Sequence, residues 1–131
     1  MLTEKPRAII FDWDDTLADT RDIFITAIDA ILSKFGKPSW ETTKKKRDNT
    51  LSARDNFPHF FDAEHAAEAY SLYLAEYRRI MCSILKPKHF AKELLEIISA
   101  SSVTPLIISN KELSLLEEEV KILFPAMNFH G

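Results

Sequence analysis

The spacing of apolar residues along the chain predicts short buried strands alternating with amphipathic helices. Two short, mainly apolar runs, 8–11 and 106–109, are typical of buried strands. Elsewhere apolar side chains return at steps of three and four residues, which is the period of one helical face. This spacing predicts helices at about 20–35, 62–81, 89–100 and 111–124, an aromatic-rich turn at 57–61, and a third strand at 127–129.

This order of elements indicates an α/β fold. Helices that alternate with strands at this spacing imply a parallel sheet with right-handed crossovers. The stretch between Thr20 and about Ser83 contains helical patterns only. We therefore expect an α/β core formed by 1–20 and 84–131, with an all-helical unit at 21–83 inserted into it.

The strongest candidate chemistry follows the first strand, where Asp12, Asp14 and Asp15 stand within four positions. Carboxylates are costly to bury, and ligands of α/β sheets bind beyond the carboxyl ends of the strands. Asp12 and Asp14 are two residues apart, so both can face one pocket while Trp13 points away. Such oxygen donors favour Mg²⁺, and a carboxylate can act as nucleophile or proton donor. The alternative is a metal-free turn in which Asp15 and Thr16 cap the next segment.

Composition and charge exclude several classes of protein. The chain has 46% hydrophobic and 28% charged residues, as ordinary globular proteins do. A net charge of −3 is too small to indicate binding to nucleic acid or to an anionic membrane. No apolar run approaches the roughly 18 residues of a membrane span, and no signal segment precedes the first strand. The single cysteine, Cys82, excludes an internal disulfide and is predicted to be buried. We expect a soluble cytoplasmic protein.

Other charged residues are predicted to face solvent. The basic run 44–47 could attract a substrate phosphate, but a solvated helix face is the favoured interpretation. Lys111 is expected to be a surface lysine in the first turn of the last helix. In that helix, Leu113 is predicted to point inward and the glutamates at 117–119 outward.

Two motifs together resemble a known family. Asp12, Asp14, Thr16 and Leu17 follow an apolar strand, and the segment 105–111 is a second apolar strand that ends at Ser109 with a helix following. This pair, in this order, resembles the haloacid dehalogenase superfamily of phosphatases, and most closely its phosphoglycolate phosphatase-like members. The resemblance implies a haloacid dehalogenase-like, Rossmann-like parallel-sheet core, with the helical insertion acting as a cap over the site.

The resemblance also implies roles for particular residues. Asp12 would attack phosphorus to form an aspartyl-phosphate, with Mg²⁺ bound by its carboxylate and by the main-chain carbonyl of Asp14. Asp14 would protonate the leaving oxygen and later activate water. Thr16 would hold the loop at the substrate through its hydroxyl, while Ser109 and the amide of Asn110 would donate to phosphoryl oxygens. The substrate would be a small phosphorylated metabolite, with phosphoglycolate as the first candidate.

Later signatures of the resembled family cannot be placed in this sequence. These are a lysine that steadies phosphoryl charge and the acids that complete the Mg²⁺ site. We therefore expect a chain truncated relative to the family, with weak binding of Mg²⁺. The strands that would flank the first strand are missing as well, so 9–11 would form a bare apolar edge that permits self-association. The alternative to an enzyme is a non-catalytic remnant used for binding or assembly.

Overall fold

The computed structural model describes residues 4–129, which form four strands and six α-helices. The strands are β1 (Ala8–Phe11), β2 (Ala18–Asp19), β3 (Lys86–Pro87) and β4 (Thr104–Ile107). The helices are α1 (Arg21–Lys34), α2 (Trp40–Thr43), α3 (Ala53–Phe60), α4 (Ala66–Ile84), α5 (Ala91–Ser99) and α6 (Leu113–Leu123), with a 3-10 turn at Lys44–Lys46 after α2. The fold is therefore a mixed α/β fold, as the apolar spacing predicts.

The two predicted strands pair in parallel. Ala8 lies opposite Thr104 and Phe11 opposite Ile107, and the amide of Ile108 extends the ladder by donating to the carbonyl of Phe11 at 3.0 Å. The carboxyl ends of β1 and β4 therefore lie side by side at one edge of the sheet.

A second, very short strand pair stands where the helical insertion begins and ends. Ala18 of β2 lies antiparallel to Pro87 of β3. The amide of Lys88 also donates to the carbonyl of Leu17 at 2.9 Å. The chain thus enters and leaves the helices α1–α4 at one place, close to the residues that follow β1.

Two hydrophobic clusters hold the described residues together. One is formed by α1–α4 with Leu115 of α6, and its largest buried side chains include Tyr77 and Phe57. The other lies between the β1–β4 sheet, α5 and α6, around the fully buried Trp13. In α1 the buried residues recur with the predicted helical period: Ile23, Ala27, Ile28, Ile31 and Leu32.

Three local predictions are wrong. The segment 57–61 is not a turn, because helix α3 runs through it to Phe60. Phe57 and Phe60 are buried on one face of that helix, and this packing outweighs the hydrogen bond that Pro58 removes. The residues 127–129 form no strand. Cys82 is exposed, because it lies on the face of α4 opposite the buried side chains.

The sheet leaves apolar side chains uncovered. Ile10 of β1 is 59% exposed and Ile108, just after β4, is 65% exposed. Among residues 4–129, β1 pairs with β4 alone, so its other edge has no partner strand. In the same part of the chain, no helix has the length and hydrophobicity required to cross a bilayer.

Candidate active site

A cavity of about 630 Å³ opens between the carboxyl ends of the sheet strands and the helical insertion. Because β1 and β4 are parallel and in register, the residues that follow them meet at its floor. Of the residues that the sequence predicts for the site, the cavity is lined by Asp12, Asp14, Ser109 and Asn110. The fifth, Thr16, does not line it. Its side chain is exposed, and its amide donates to the carbonyl of Trp13 at 3.1 Å.

The turn after β1 is anchored by Trp13. This side chain is fully buried and meets the ring of Phe124 edge-on at 5.8 Å, so it points away from the cavity as predicted. Its main-chain carbonyl accepts hydrogen bonds from the amides of Leu17 (3.0 Å) and Ala18 (3.2 Å) as well as Thr16. Asp15 has a positive φ of 58°, a conformation that aspartate tolerates better than most residues. A rigid turn therefore presents the two neighbours of Trp13 to the cavity.

Asp12 and Asp14 have different surroundings in that turn. Asp12 is exposed, and its Oδ1 accepts the amide N–H of Trp13 at 2.8 Å. Asp14 is half-buried, and its Oδ1 accepts both the hydroxyl of Thr20 at 2.6 Å and the ammonium of Lys111 at 2.7 Å. One carboxylate is thus open to the cavity, while the other is held by two donors.

Thr20 and Lys111 are site residues that the sequence reasoning missed. Thr20 stands at the N-cap position of α1, but its hydroxyl makes no cap hydrogen bond and is directed to Asp14. Lys111 is not a surface lysine, since only 8% of its side chain is exposed. It precedes α6 instead of lying in its first turn, and its amide bonds to the hydroxyl of Ser109 at 3.1 Å. That bend turns its ammonium into the site.

Glu119 carries the negative charge that pairs with Lys111. The prediction that this glutamate points outward is wrong. Glu119 is fully buried, and its Oε1 lies 2.6 Å from the ammonium of Lys111. The inward face of α6 is set by Leu115 and Glu119, four residues apart, and Leu113 is 63% exposed instead of packed inward. A carboxylate can be buried there because it has a partner of opposite charge.

Both oxygens of Glu119 have further partners. The indole N–H of Trp13 donates to Oε1 at 3.2 Å, and the hydroxyl of Tyr77 donates to Oε2 at 2.9 Å. Burial, and next the charges of Glu119 and Asp14, raise the pKa of the Tyr77 phenol. Tyr77 therefore keeps its proton and remains a hydrogen-bond donor to Glu119.

Oxygen donors at the cavity floor fit a hard cation. The exposed carboxylate of Asp12 and the main-chain carbonyl of Asp14 are of the type that Mg²⁺ prefers. The carboxylate of Asp14 is already engaged by Lys111 and Thr20. Within 4–129 no three His, Cys, Asp or Glu side chains group together as a metal site would require. The donors suit Mg²⁺ that keeps most of its water ligands.

The opposite wall of the cavity is basic. Arg21, Lys44 and Arg47 line it from the helical insertion. Lys44 also pairs with Glu41 at 2.7 Å, and the guanidinium of Arg47 lies 5.6 Å from the ring centre of Phe24. Every residue of the run 44–47 is exposed, as a solvated face would be, but two of the four residues also face the cavity.

Comparison with known proteins identifies a family that the sequence matches. The family model of the haloacid dehalogenase-like hydrolases matches residues 9–127. No curated protein sequence is significantly similar to the chain.

Several solved structures share the fold at low sequence identity. CbbY from Rhodobacter sphaeroides, in complex with phosphate, superposes with a TM-score of 0.77 at 15% identity over 92% of this chain and 58% of its own. A predicted phosphoglycolate phosphatase from Haemophilus somnus gives a TM-score of 0.77 at 16% identity, over 93% and 59%. A haloacid dehalogenase-like family hydrolase from Streptococcus pneumoniae gives 0.73 at 22% identity, over 89% and 55%. The chain thus spans less than two thirds of the length of each structure.

Proposed function

Since this chain belongs to the haloacid dehalogenase-like hydrolase family, we propose that it hydrolyses small phosphomonoesters through an aspartyl-phosphate formed on Asp12. The observation that carries the proposal is the meeting of two aspartates with a serine and an amide at the floor of one cavity. The match to the family supports a hydrolase, and the chemistry of the individual residues is inferred from their positions.

Asp12 is the proposed nucleophile because its carboxylate is exposed in the cavity yet fixed on one side. The amide of Trp13 holds Oδ1 at 2.8 Å, which orients the carboxylate toward the cavity. Trp13 itself is buried and cannot shift without disturbing the second hydrophobic cluster. A carboxylate that is held in this way loses little rotational freedom when it attacks phosphorus.

Asp14 is the proposed proton donor to the leaving oxygen and the base that later activates water. It stands two residues from Asp12 on the same turn, and Thr20 and Lys111 hold its Oδ1. Proton transfer requires a group within hydrogen-bond reach of the reacting oxygen, and both aspartates line the same cavity. Ser109 and the amide of Asn110 would donate to the phosphoryl oxygens from the end of β4.

Mg²⁺ would be held by the carboxylate of Asp12 and the main-chain carbonyl of Asp14. When bound, it would offset the negative charge of the phosphoryl group as it approaches a carboxylate. The charge of Lys111 does not take this role, because it is already offset by the carboxylates of Asp14 and Glu119.

We propose phosphoglycolate as the first substrate to test and the cytoplasm as the site of action. The basic side chains on the insertion wall, Arg21, Lys44 and Arg47, are compatible with an anionic metabolite. In this proposal the helical unit 21–83 acts as the cap that closes over the substrate. The solved structure of CbbY in complex with phosphate supports this choice, since it shows that a protein of this fold binds inorganic phosphate.

A second candidate function is a non-catalytic role in binding or assembly. The exposed Ile10 and Ile108 on the sheet favour it, because uncovered apolar residues beside an open strand edge invite association with another chain. Under this alternative the chain self-associates through β1 and turns over no phosphomonoester.

Steady-state assays separate the two functions. The 131-residue protein is assayed with Mg²⁺ against a panel of phosphomonoesters that includes phosphoglycolate, beside Asp12→Asn and the matched control Asp15→Asn. Asp15 also lines the cavity, so its variant removes the same charge without removing the nucleophile. The proposal expects phosphate release by the wild type and Asp15→Asn and none by Asp12→Asn. Full activity of Asp12→Asn, or no turnover of any substrate by the wild type, contradicts it.

A further inference from the structure

A continuous series of short polar contacts joins the middle of α6 to the turn after β1. Glu119 lies 2.6 Å from the ammonium of Lys111, and the same ammonium lies 2.7 Å from Asp14. Glu119 lines no part of the cavity, so it cannot touch a substrate there. It contacts Lys111, Tyr77 and the indole of Trp13, and of these three Lys111 is the one that bonds to the carboxylate of Asp14.

The ammonium of Lys111 is surrounded by three oxygen atoms. It donates hydrogen bonds to Asp14 and to the hydroxyl of Tyr77, each at 2.7 Å, and it forms an ion pair with Glu119 at 2.6 Å. The lysine side chain is otherwise long and flexible, with four rotatable bonds. Three partners at 2.6–2.7 Å therefore fix the position of its charge.

From this geometry we infer that Glu119 is a positioning residue, which holds Lys111 so that its ammonium fixes the carboxylate of Asp14 for proton transfer. The inference rests on the proposed function only for its effect on rate. The link from Glu119 to Asp14 exists whether or not the chain is active. Asp14 keeps its other donor, Thr20, but that hydroxyl bonds to the same oxygen, Oδ1.

The helical insertion takes part in the same network. Tyr77 belongs to α4, and it donates to Glu119 while accepting from Lys111. A second tyrosine of α4, Tyr70, donates to Glu112 at 2.9 Å. The two tyrosines and the two glutamates are each seven residues apart, so both pairs lie along one seam between α4 and α6. The position of Lys111 therefore depends on the packing of the insertion against α6.

The effect on catalysis should fall on kcat. Substitution of Glu119 leaves the groups proposed to bind the phosphoryl oxygens in place, so KM should change less than about twofold. Loss of the fixed geometry of a reacting group lowers a rate by about ten- to a hundredfold. Glu119→Gln keeps the shape of the side chain and removes its charge. Glu118→Gln is the matched control, since Glu118 is the neighbouring glutamate and pairs with Arg78 on the surface.

The deciding measurement does not require activity. In a protein labelled with ¹³C at its carboxyl groups, Glu119→Gln should shift the NMR signal of the Asp14 carboxyl carbon at constant pH, and Glu118→Gln should leave it in place. Tyr77→Phe removes one partner of Lys111 without changing any charge, and should shift the same signal by a smaller amount. This variant decides the question if Glu119→Gln does not fold.

Each outcome has a definite meaning. An Asp14 signal that neither Glu119→Gln nor Tyr77→Phe moves overturns the inference. A shifted signal with unchanged kcat in an active protein overturns the positioning role as well. If the wild type turns over no phosphomonoester, the proposed function fails, and the carboxyl signal of Asp14 still decides whether Glu119 positions it through Lys111.

Discussion

Lys111→Met should destabilise the protein strongly, because it leaves Glu119 charged and buried without its cationic partner. Glu119 is fully buried and the side chain of Lys111 is 8% exposed. Removing one partner of such a pair costs about 3–5 kcal/mol. This is a large part of the roughly 5–15 kcal/mol that stabilises a typical domain. At about 3–5 °C per kcal/mol for a chain of this size, the melting temperature should fall by about 10–20 °C.

The double variant Lys111→Met/Glu119→Leu tests the reason for this loss. With both charges removed, no buried carboxylate is left unpaired, and apolar replacement of a whole pair is often close to neutral. Trp13 and Tyr77 still lose an acceptor, at about 1–3 kcal/mol each, so recovery should be partial. Urea unfolding followed by circular dichroism measures the free energies of unfolding of the wild type, the single variant and the double variant. Lys121→Met, at an exposed position of α6, is the control. A loss of stability in Lys111→Met no larger than that in Lys121→Met, or a double variant less stable than the single one, would refute this explanation.

Three further predictions follow from the described contacts. Burial is the largest cause that raises the pKa of each of the three tyrosines, so phenolate absorbance should be absent from the folded protein near pH 10. The contribution of the neutral phenols to folding stability is fully present below their unfolded pKa of about 10 and is lost as the pH rises toward the folded pKa. Phenolate that forms near pH 10 while circular dichroism still shows a folded chain would contradict this prediction. Ser52→Ala removes the hydroxyl that caps α3 by accepting the amide N–H of Asp55 at 3.1 Å, and it should lower the free energy of unfolding by about 1 kcal/mol. Ser99→Ala, at an exposed position, is the control, and equal stability of the two variants would show that the cap is not formed. Titration calorimetry should show weak Mg²⁺ binding because few protein oxygens are available, and tight binding abolished by Asp12→Ala would contradict this account of the site.

The parts of the molecule that follow from local pattern were predictable from the sequence. The apolar runs at 8–11 and 106–109 mark the two paired strands to within about two residues, and the spacing in α1 gives its buried face. The position of Asp12 and Asp14 beyond a strand end was enough to place both in the cavity.

The polar network was missed because each of its members, taken alone, looks like a solvated charge. Lys111 and Glu119 are long charged residues in a helical region, and such residues rarely lie inside unless they are paired. Their pairing depends on the meeting of α6 with the turn after β1, which local sequence does not show. One signal was available: Lys111, Leu115 and Glu119 are spaced by four residues, and this spacing places them along one face of a helix. Thr20 was missed for a related reason, since a threonine at the start of a helix is ordinarily a cap and its contact with Asp14 depends on the turn after β1.

The central claim is that Asp12 is the nucleophile of a phosphomonoester hydrolase. Its most direct test is to mix the protein with Mg²⁺ and a turned-over phosphomonoester, quench with acid within the first turnover, and determine the mass of the peptide that contains Asp12. The account predicts that this peptide gains the mass of one phosphoryl group, and that the gain is absent from Asp12→Asn but present in Asp15→Asn. Phosphate release without any phosphorylated peptide, or a phosphoryl group on a residue other than Asp12, would contradict it.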